Sequence, residues 1–313
     1  MKLNFFINKI ISPISLIIGF IFIFLNYEKI FQNSHNSYLY LLLVFIFHST
    51  YLFILNLRSF TILRKKVSKK VNFIDWSKVF FKSILVQDTI LSQSGFLFRS
   101  IYLRSLNVQY HELSTFFYFG LLTHVIINLT WTLFEINFFI KTSKSQIFIQ
   151  FFLMAIIYLL IYLIPYIFFY LKNIFLKRIQ LKKLESFLKE IILNQKKYFH
   201  DFNFIITIFL ITTVTHIFEL LVFYCAFSYF LNDYNLINII ILFGIGTLSD
   251  RIPLISTIPF VRESIFGLVS LSFGIAFSDA FLIKLLTTVA SILGSIINLL
   301  WSFLFSDGSK IKL

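Results

Sequence analysis

Runs of apolar residues as long as a bilayer is thick recur through this sequence, and they leave few other folds open. A hydrocarbon core of roughly 30 Å takes about 20 helical residues to cross. Five segments meet that length, at approximately 10–27, 38–57, 112–134, 146–171 and 203–231. A sixth, at 281–305, carries Lys284 near its start, from where a long side chain can snorkel to the interface. With 58% hydrophobic residues, only 13% charged ones and a mean hydropathy of +0.86, the chain has too little polar surface for a water-soluble fold. The single Cys225 excludes a disulfide scaffold. The first segment follows Lys2 and Lys9 and has no A-x-A-like site after it, so it reads as a retained anchor and not as a signal peptide. The expectation is an all-α polytopic membrane bundle of about six to eight transmembrane helices.

In a soluble protein a net charge of +14 would suggest nucleic acid, so the placement of the cations decides their meaning. More than half of the 28 Lys and Arg lie in two linkers. One runs from Arg58 to Lys82 through Arg64, Lys65, Lys66, Lys69, Lys70 and Lys78; the other runs from Lys172 to Lys197. Short basic loops between apolar spans mark the cytoplasmic side of a membrane, where they also meet anionic headgroups. A nucleic-acid partner is therefore not expected.

Three stretches do not read as ordinary spans: 79–98, which contains Lys82, Gln87, Asp88 and Gln93, and the short apolar runs Leu236 to Leu248 and Ser264 to Ser278. If both basic linkers are cytoplasmic, the spans at 112–134 and 146–171 already supply the even number of crossings between them. The polar stretch at 79–98 should then enter and leave on one side, as a re-entrant or broken helix lining a protein-covered or watery space. The competing reading is an amphipathic helix on the membrane surface. The same parity argument makes the two later runs cross together or pair as a second re-entrant element, leaving both termini cytoplasmic. Interrupted segments at matching places suggest two pseudo-repeats, 1–171 and 198–313, joined by a basic cytoplasmic linker at 172–197, with a substrate site between them.

Ionisable residues inside apolar sequence are expensive and each starts as a site hypothesis. His216 and Glu219 are three apart on one helix face. A metal centre would need a second matching motif, and the sequence has none, so a structural polar contact is the favoured reading and no metal or cofactor is expected. His48 and His124 stand alone in their spans and read as hydrogen-bonded to a neighbouring helix. No nucleophile elbow, phosphate-binding lysine loop, paired Cys-x-x-Cys, HExxH or dinucleotide-binding turn occurs, so the common enzyme classes lack their signatures.

Two constellations remain. The first is Gly95-Phe-Leu-Phe-Arg99-Ser-Ile-Tyr-Leu-Arg104-Ser-Leu-Asn107; the second runs from Pro253 through Val261-Arg262-Glu263 to Phe273-Gly274-Ile275 and Lys284. They resemble, in order and spacing, the G-x-x-x-R-a-x-x-L-x-R-x-x-G and P-x-x-x-x-x-x-G-V-R-E elements of the lysylphosphatidylglycerol synthase transmembrane, or flippase-like, domain family. The likeness covers roughly residues 85–130 and 240–300. Leu91 stands where that family has Pro, Ser256 to Phe260 where it has a Gly-rich run, and Lys284 where it has Arg. The family's Glu-Arg pair is missing near Phe119-Gly120-Leu121.

The resemblance implies translocation of a polar lipid, either a phospholipid or a lipid-linked sugar, between leaflets of the inner membrane. Arg99, Arg262 and Arg104 are the expected phosphate-binding residues, because a guanidinium offers a planar fork to a phosphate. Gly95, Asp88, Glu219, His216, Glu263 and Lys284 are the expected lining and ion-pairing residues of a polar cavity. Glu263 would hold Arg262, or pair Lys284 or Arg99, when no lipid is bound. Family members that make lysylated lipid carry a soluble aminoacyl-transferase domain; this chain ends eight residues after its last apolar segment, so no enzymatic activity is expected. A homo-oligomer or a membrane-protein partner is compatible with this reading. The alternative function is a non-transporting subunit or scaffold of a glycolipid or envelope assembly.

Overall fold

The computed structural model describes residues 38–66, 71–89, 92–140, 201–231, 235–249 and 260–305, with the isolated positions 163, 167, 189, 192 and 193. Apart from those positions, the expected spans at 10–27 and 146–171, the basic linker at 172–197 and Pro253 of the second constellation lie outside the described residues. The described residues form helices and no strand: α1 Tyr38–Lys66, α2 Phe73–Thr89, α3 Ser92–Ser105, α4 Tyr110–Ile140, α5 Phe202–Phe230, α6 Leu236–Ser249, α7 Val261–Leu271 and α8 Phe277–Leu304. Four of them, α1, α4, α5 and α8, are long and apolar enough to cross a membrane. In lipid the backbone must satisfy its own hydrogen bonds, and helices of about 28 residues do so over the full hydrocarbon thickness.

The helices fall into two compact units. The first draws on Met1–Asn56, Phe73–Arg99 and Thr215–Leu313; the second draws on Leu57–Asn72 and Ser100–Val214. Each therefore interleaves segments that are distant in sequence.

The first unit is organised around α8. One face of this helix carries Lys284, Thr287, Ser291, Ser295, Asn298 and Ser302, at spacings of three and four residues. All but the half-buried Ser291 are buried. Gly294 brings α1 so close that a Cβ there would stand 3.1 Å from the Ser49 Cα, and Asn298 donates its amide to the Ser49 carbonyl at 2.9 Å. Small and amide-bearing residues of this kind let membrane helices approach and bond across the seam. On the same side α2 runs antiparallel to α8. Phe73 meets Trp301 at a ring separation of 6.4 Å, Lys78 lies 5.2 Å from the Phe303 ring, and Asp88 accepts a 2.6 Å hydrogen bond from Ser291.

Ser291 sits halfway along the 28-residue α8, so α2 ends at mid-depth of a membrane-length helix. Three residues later α3 begins and turns back against α2, with Gly95 seated on the Ser83 carbonyl and the Gln87 side chain. The stretch at 79–98 is thus broken between α2 and α3, which pack back on one another. The surface-helix reading is set aside, because Asp88 is tied to the middle of a span.

A second interrupted element precedes α8. At 14 and 11 residues α6 and α7 are about 21 and 16 Å long, too short to cross. Phe266 on α7, Phe243 on α6 and Phe223 and Phe227 on α5 form the aromatic core that covers them. Gly274, at φ 74°, reverses the chain after α7, and Gly267 accepts the Phe277 ring where a Cβ would come within 2.8 Å of it.

The second unit is held by a different kind of contact. Arg58, buried in α1, donates from Nη2 to the Gly120 carbonyl and to Thr123 Oγ1 on α4. Asp201 caps α5 by accepting from the Phe204 amide at 3.0 Å and pairs with Lys65. The bond from Lys65, with the Phe204 amide, holds its carboxyl below the usual value.

The glycines give a paired test. Gly95→Ala forces a Cβ into the Ser83 carbonyl and should destabilise the hairpin by roughly 1–3 kcal/mol. Gly120→Ala, whose nearest neighbour would be Ile62 at 4.0 Å, should be neutral or slightly stabilising. Thermal unfolding of the purified variants in detergent should separate the two, and equal shifts would refute the close α2–α3 packing.

Candidate functional site

The α2–α3 tip, the start of α7 and the polar face of α8 leave a cavity of about 110 Å³ inside the first unit, room for several waters or a phosphate-sized group. Its wall combines His48 and Tyr51 of α1, Gln87 and Asp88 of α2, Glu219 of α5, Arg262 of α7, and Lys284, Thr288 and Ser291 of α8. Aliphatic and aromatic groups, among them Leu52, Ile84, Val222 and Phe223, close the remainder.

Each polar group is placed by a local cause. Lys284 lies about two turns inside α8 and is 3% exposed; its Nζ stands 5.2 Å from the Phe223 ring centroid, over a face that stabilises a cation. Arg262 is the second residue of α7. Just before it Phe260 adopts φ 61°, a left-handed conformation that bulky residues rarely take, with its ring stacked on Phe281 at 6.1 Å. That turn starts the helix so that Arg262, with 18% of its side chain exposed, reaches the cavity. The amino end of a helix adds positive potential on the same side. Glu263 lies behind the wall, accepting from Thr288 Oγ1 at 2.9 Å, 3.8 Å from an Arg262 nitrogen and 2% exposed.

Four of the residues expected from the sequence therefore line one cavity: Asp88, Glu219, Arg262 and Lys284. Glu263 supports them through Thr288. The others lie elsewhere. Arg99 bends back over its own turn, donating to the Gly95 carbonyl at 3.3 Å with its guanidinium 5.7 Å from the Phe80 ring, and does not line the cavity. Arg104 belongs to the second unit, where it closes α3 on the Val108 carbonyl at 2.7 Å and stacks on Tyr110. Gly95 is a packing position, and His216 turns to Phe243 at 5.1 Å while Glu219, one turn on, turns to the cavity. Among the described residues no group of three or more His, Cys, Asp or Glu could hold a metal ion.

Sequence reading passed over Ser291 and Thr288, named Gln87 only as one of the polar residues of 79–98, and read His48 as hydrogen-bonded to a neighbouring helix. The first two were accessible in principle, because with Lys284 they recur at helical spacing on one face. His48 shares a face with Tyr51 and Leu55, a weaker signal.

Residues 10–297 match the family described as the lysylphosphatidylglycerol synthase TM region. The chain belongs to this family. It is an integral membrane protein, and the region matched is a membrane domain, not itself a catalytic one. No curated protein and no solved structure matches the chain.

The cavity should be wet and the outer face of α8 should not. Cys225 is buried and is the sole native thiol, so introduced cysteines can be read against a low background. Thr288→Cys should react with a membrane-impermeant thiol reagent much faster than Ile297→Cys, which faces outward at 54% exposure. Equal rates would mean that the cavity is closed to water.

Proposed function

We propose that this protein moves a polar lipid, a phospholipid or a lipid-linked sugar, between leaflets of the cytoplasmic membrane, with both termini on the cytoplasmic side. The observation that carries this reading is the pair Arg262 and Lys284 on the wall of a protein-lined cavity that reaches the midpoint of α8. Cations at that depth are costly unless they serve an anion, and a lipid phosphate is the anion that a membrane supplies. The phosphate docks on the Arg262 fork and the Lys284 ammonium while the acyl chains remain in lipid, so the charge crosses without being exposed to hydrocarbon. Short helices and a broken helix, whose ends lie inside the protein, are the elements from which membrane transporters build such sites. The basic residues of α1 and α2, with Lys78 and Lys82 beside Phe303 at the end of α8, support a cytoplasmic entrance.

Translocation is measured in proteoliposomes by dithionite bleaching of a headgroup-labelled phospholipid. Arg262→Ala should slow it by about tenfold or more, the loss of a charge-assisted hydrogen bond. Arg99→Ala should slow it far less, because that side chain lies off the cavity wall. If no labelled lipid moves with wild type, the scaffold reading takes its place; Arg262→Ala should then lower thermal stability or release a co-purifying membrane partner.

A further inference from the structure

The end of α8 away from the cavity carries a second cationic place. Lys78 and Lys82 lie one turn apart on α2, and their Nζ atoms stand 5.2 and 5.7 Å from the centroid of one ring, that of Phe303. Like charges at this spacing repel. Phe303 is itself 48% exposed and lies in sequence between Leu300 and Leu304, on the side of α8 left to lipid. Next to it Trp301 meets Phe53, Phe73 and Phe305 at ring separations of 5.3, 6.4 and 5.3 Å. Clustered rings with a Trp at the end of an apolar span mark the headgroup level of a bilayer.

Depth gives the same answer. Asp88 and Ser291 meet halfway along α8. Lys82 precedes Asp88 by six residues and Phe303 follows Ser291 by twelve, which places them roughly 9 and roughly 18 Å from that level. Half of a hydrocarbon core is about 15 Å. Lys82 is therefore rooted within the apolar depth and extends its ammonium outward to Phe303, at the level of the lipid phosphates. Among the described residues Lys82 forms neither an ion pair nor a hydrogen bond. The carboxylates of its own helix, Asp75 and Asp88, lie about two turns away on either side.

We infer that the first unit holds an anionic phospholipid of the surrounding leaflet at this place, its phosphate on the Lys82 ammonium and its acyl chains along Leu300 and Ile297 of α8. Lys78, 6% exposed beside the same ring, adds a second positive charge. Basic residues at headgroup depth between membrane helices attract anionic lipid. The exposed Leu300, Phe303 and Leu304 favour a phosphate that carries acyl chains over a free one. This site is separate from the cavity, because Phe303 lies nineteen residues beyond Lys284, roughly 28 Å along α8. It does not rest on the translocation reading, since a scaffold would hold such a lipid equally well.

Native mass spectrometry of the purified full-length protein, titrated in detergent with phosphatidylglycerol or phosphatidylcholine of matched acyl chains, reads the binding directly. Wild type should prefer phosphatidylglycerol. Lys82→Gln should weaken that binding about fivefold, the contribution of one lysine near an anionic lipid surface. Lys82→Arg, which keeps the charge, should bind as wild type does, and Arg262→Ala should leave this lipid in place. Equal affinity for the two lipids overturns the inference. So does phosphatidylglycerol binding that is lost in Arg262→Ala and kept in Lys82→Gln, because the bound lipid then belongs to the cavity. Displacement of phosphatidylglycerol by inorganic phosphate would make a soluble anion the ligand and overturn the lipid assignment. Should Lys82→Gln fail to fold, wild type alone decides: the rise in melting temperature given by phosphatidylglycerol should shrink as salt is raised, and a salt-independent rise overturns the site.

Discussion

A lysine in the first third of a membrane-length helix has to be answered by the surrounding protein, and in the first unit most of the architecture follows from that demand. Lys284 cannot face hydrocarbon, so the side of α8 that carries it must face protein. The residues that follow on the same side, Thr287, Ser291, Ser295, Asn298 and Ser302, are small or hydrogen-bonding. They accept the backbone of α1 at Ser49 and the end of α2 at Asp88. One charged side chain thus sets the rotation of α8, and the polar stripe sets which helices come close to it. Lipid is left with the opposite side, where Ile297, Leu300 and Leu304 are exposed.

The short elements make sense against this constraint. A helix that stops inside a membrane leaves unsatisfied backbone groups at its end, which only protein or water can answer. The end of α2 and the beginning of α7 both lie at the cavity, where Asp88 and Arg262 supply charge and Ser291 and Thr288 supply hydroxyls. The left-handed Phe260 before α7 fits the same picture, since residues in sparsely populated backbone conformations concentrate where the surroundings hold them for a purpose. A continuous helix would satisfy its own backbone and leave no room for a polar space.

Much of this was legible in the sequence. Apolar length identified α1, α4, α5 and α8; Lys82, Gln87, Asp88 and Gln93 marked 79–98 as re-entrant or broken; and the resemblance pointed to Arg262, Glu263 and Lys284. Spacing did not show where a side chain goes once its helix is packed. Arg99 and Arg262 both sit in matching motifs, yet Arg99 lies along its own turn over Phe80 while Arg262 projects from a helix start. Arg104, five residues on, is used to close a helix. Ser and Thr are poor signals in an apolar span because they bond readily to the carbonyl four residues back, as Thr212 and Ser228 do here. Ser291 stands out only once Asp88 is seen beside it.

Arg58 and Arg262 are held in different ways. Both are guanidinium groups in apolar surroundings, and both are withdrawn from bulk water. Arg58 is 5% exposed and donates from Nη2 to a backbone carbonyl and a threonine hydroxyl of α4, bonds that fix one helix against another. Arg262 faces a cavity with room for a phosphate, has a second cation across the same space, and is backed by an acid 3.8 Å away, beyond ordinary hydrogen-bonding distance. Glu263 lowers the cost of keeping Arg262 charged. An acid beside it, and a place on the wall of a cavity, are the features by which the Arg262 surroundings differ from those of Arg58.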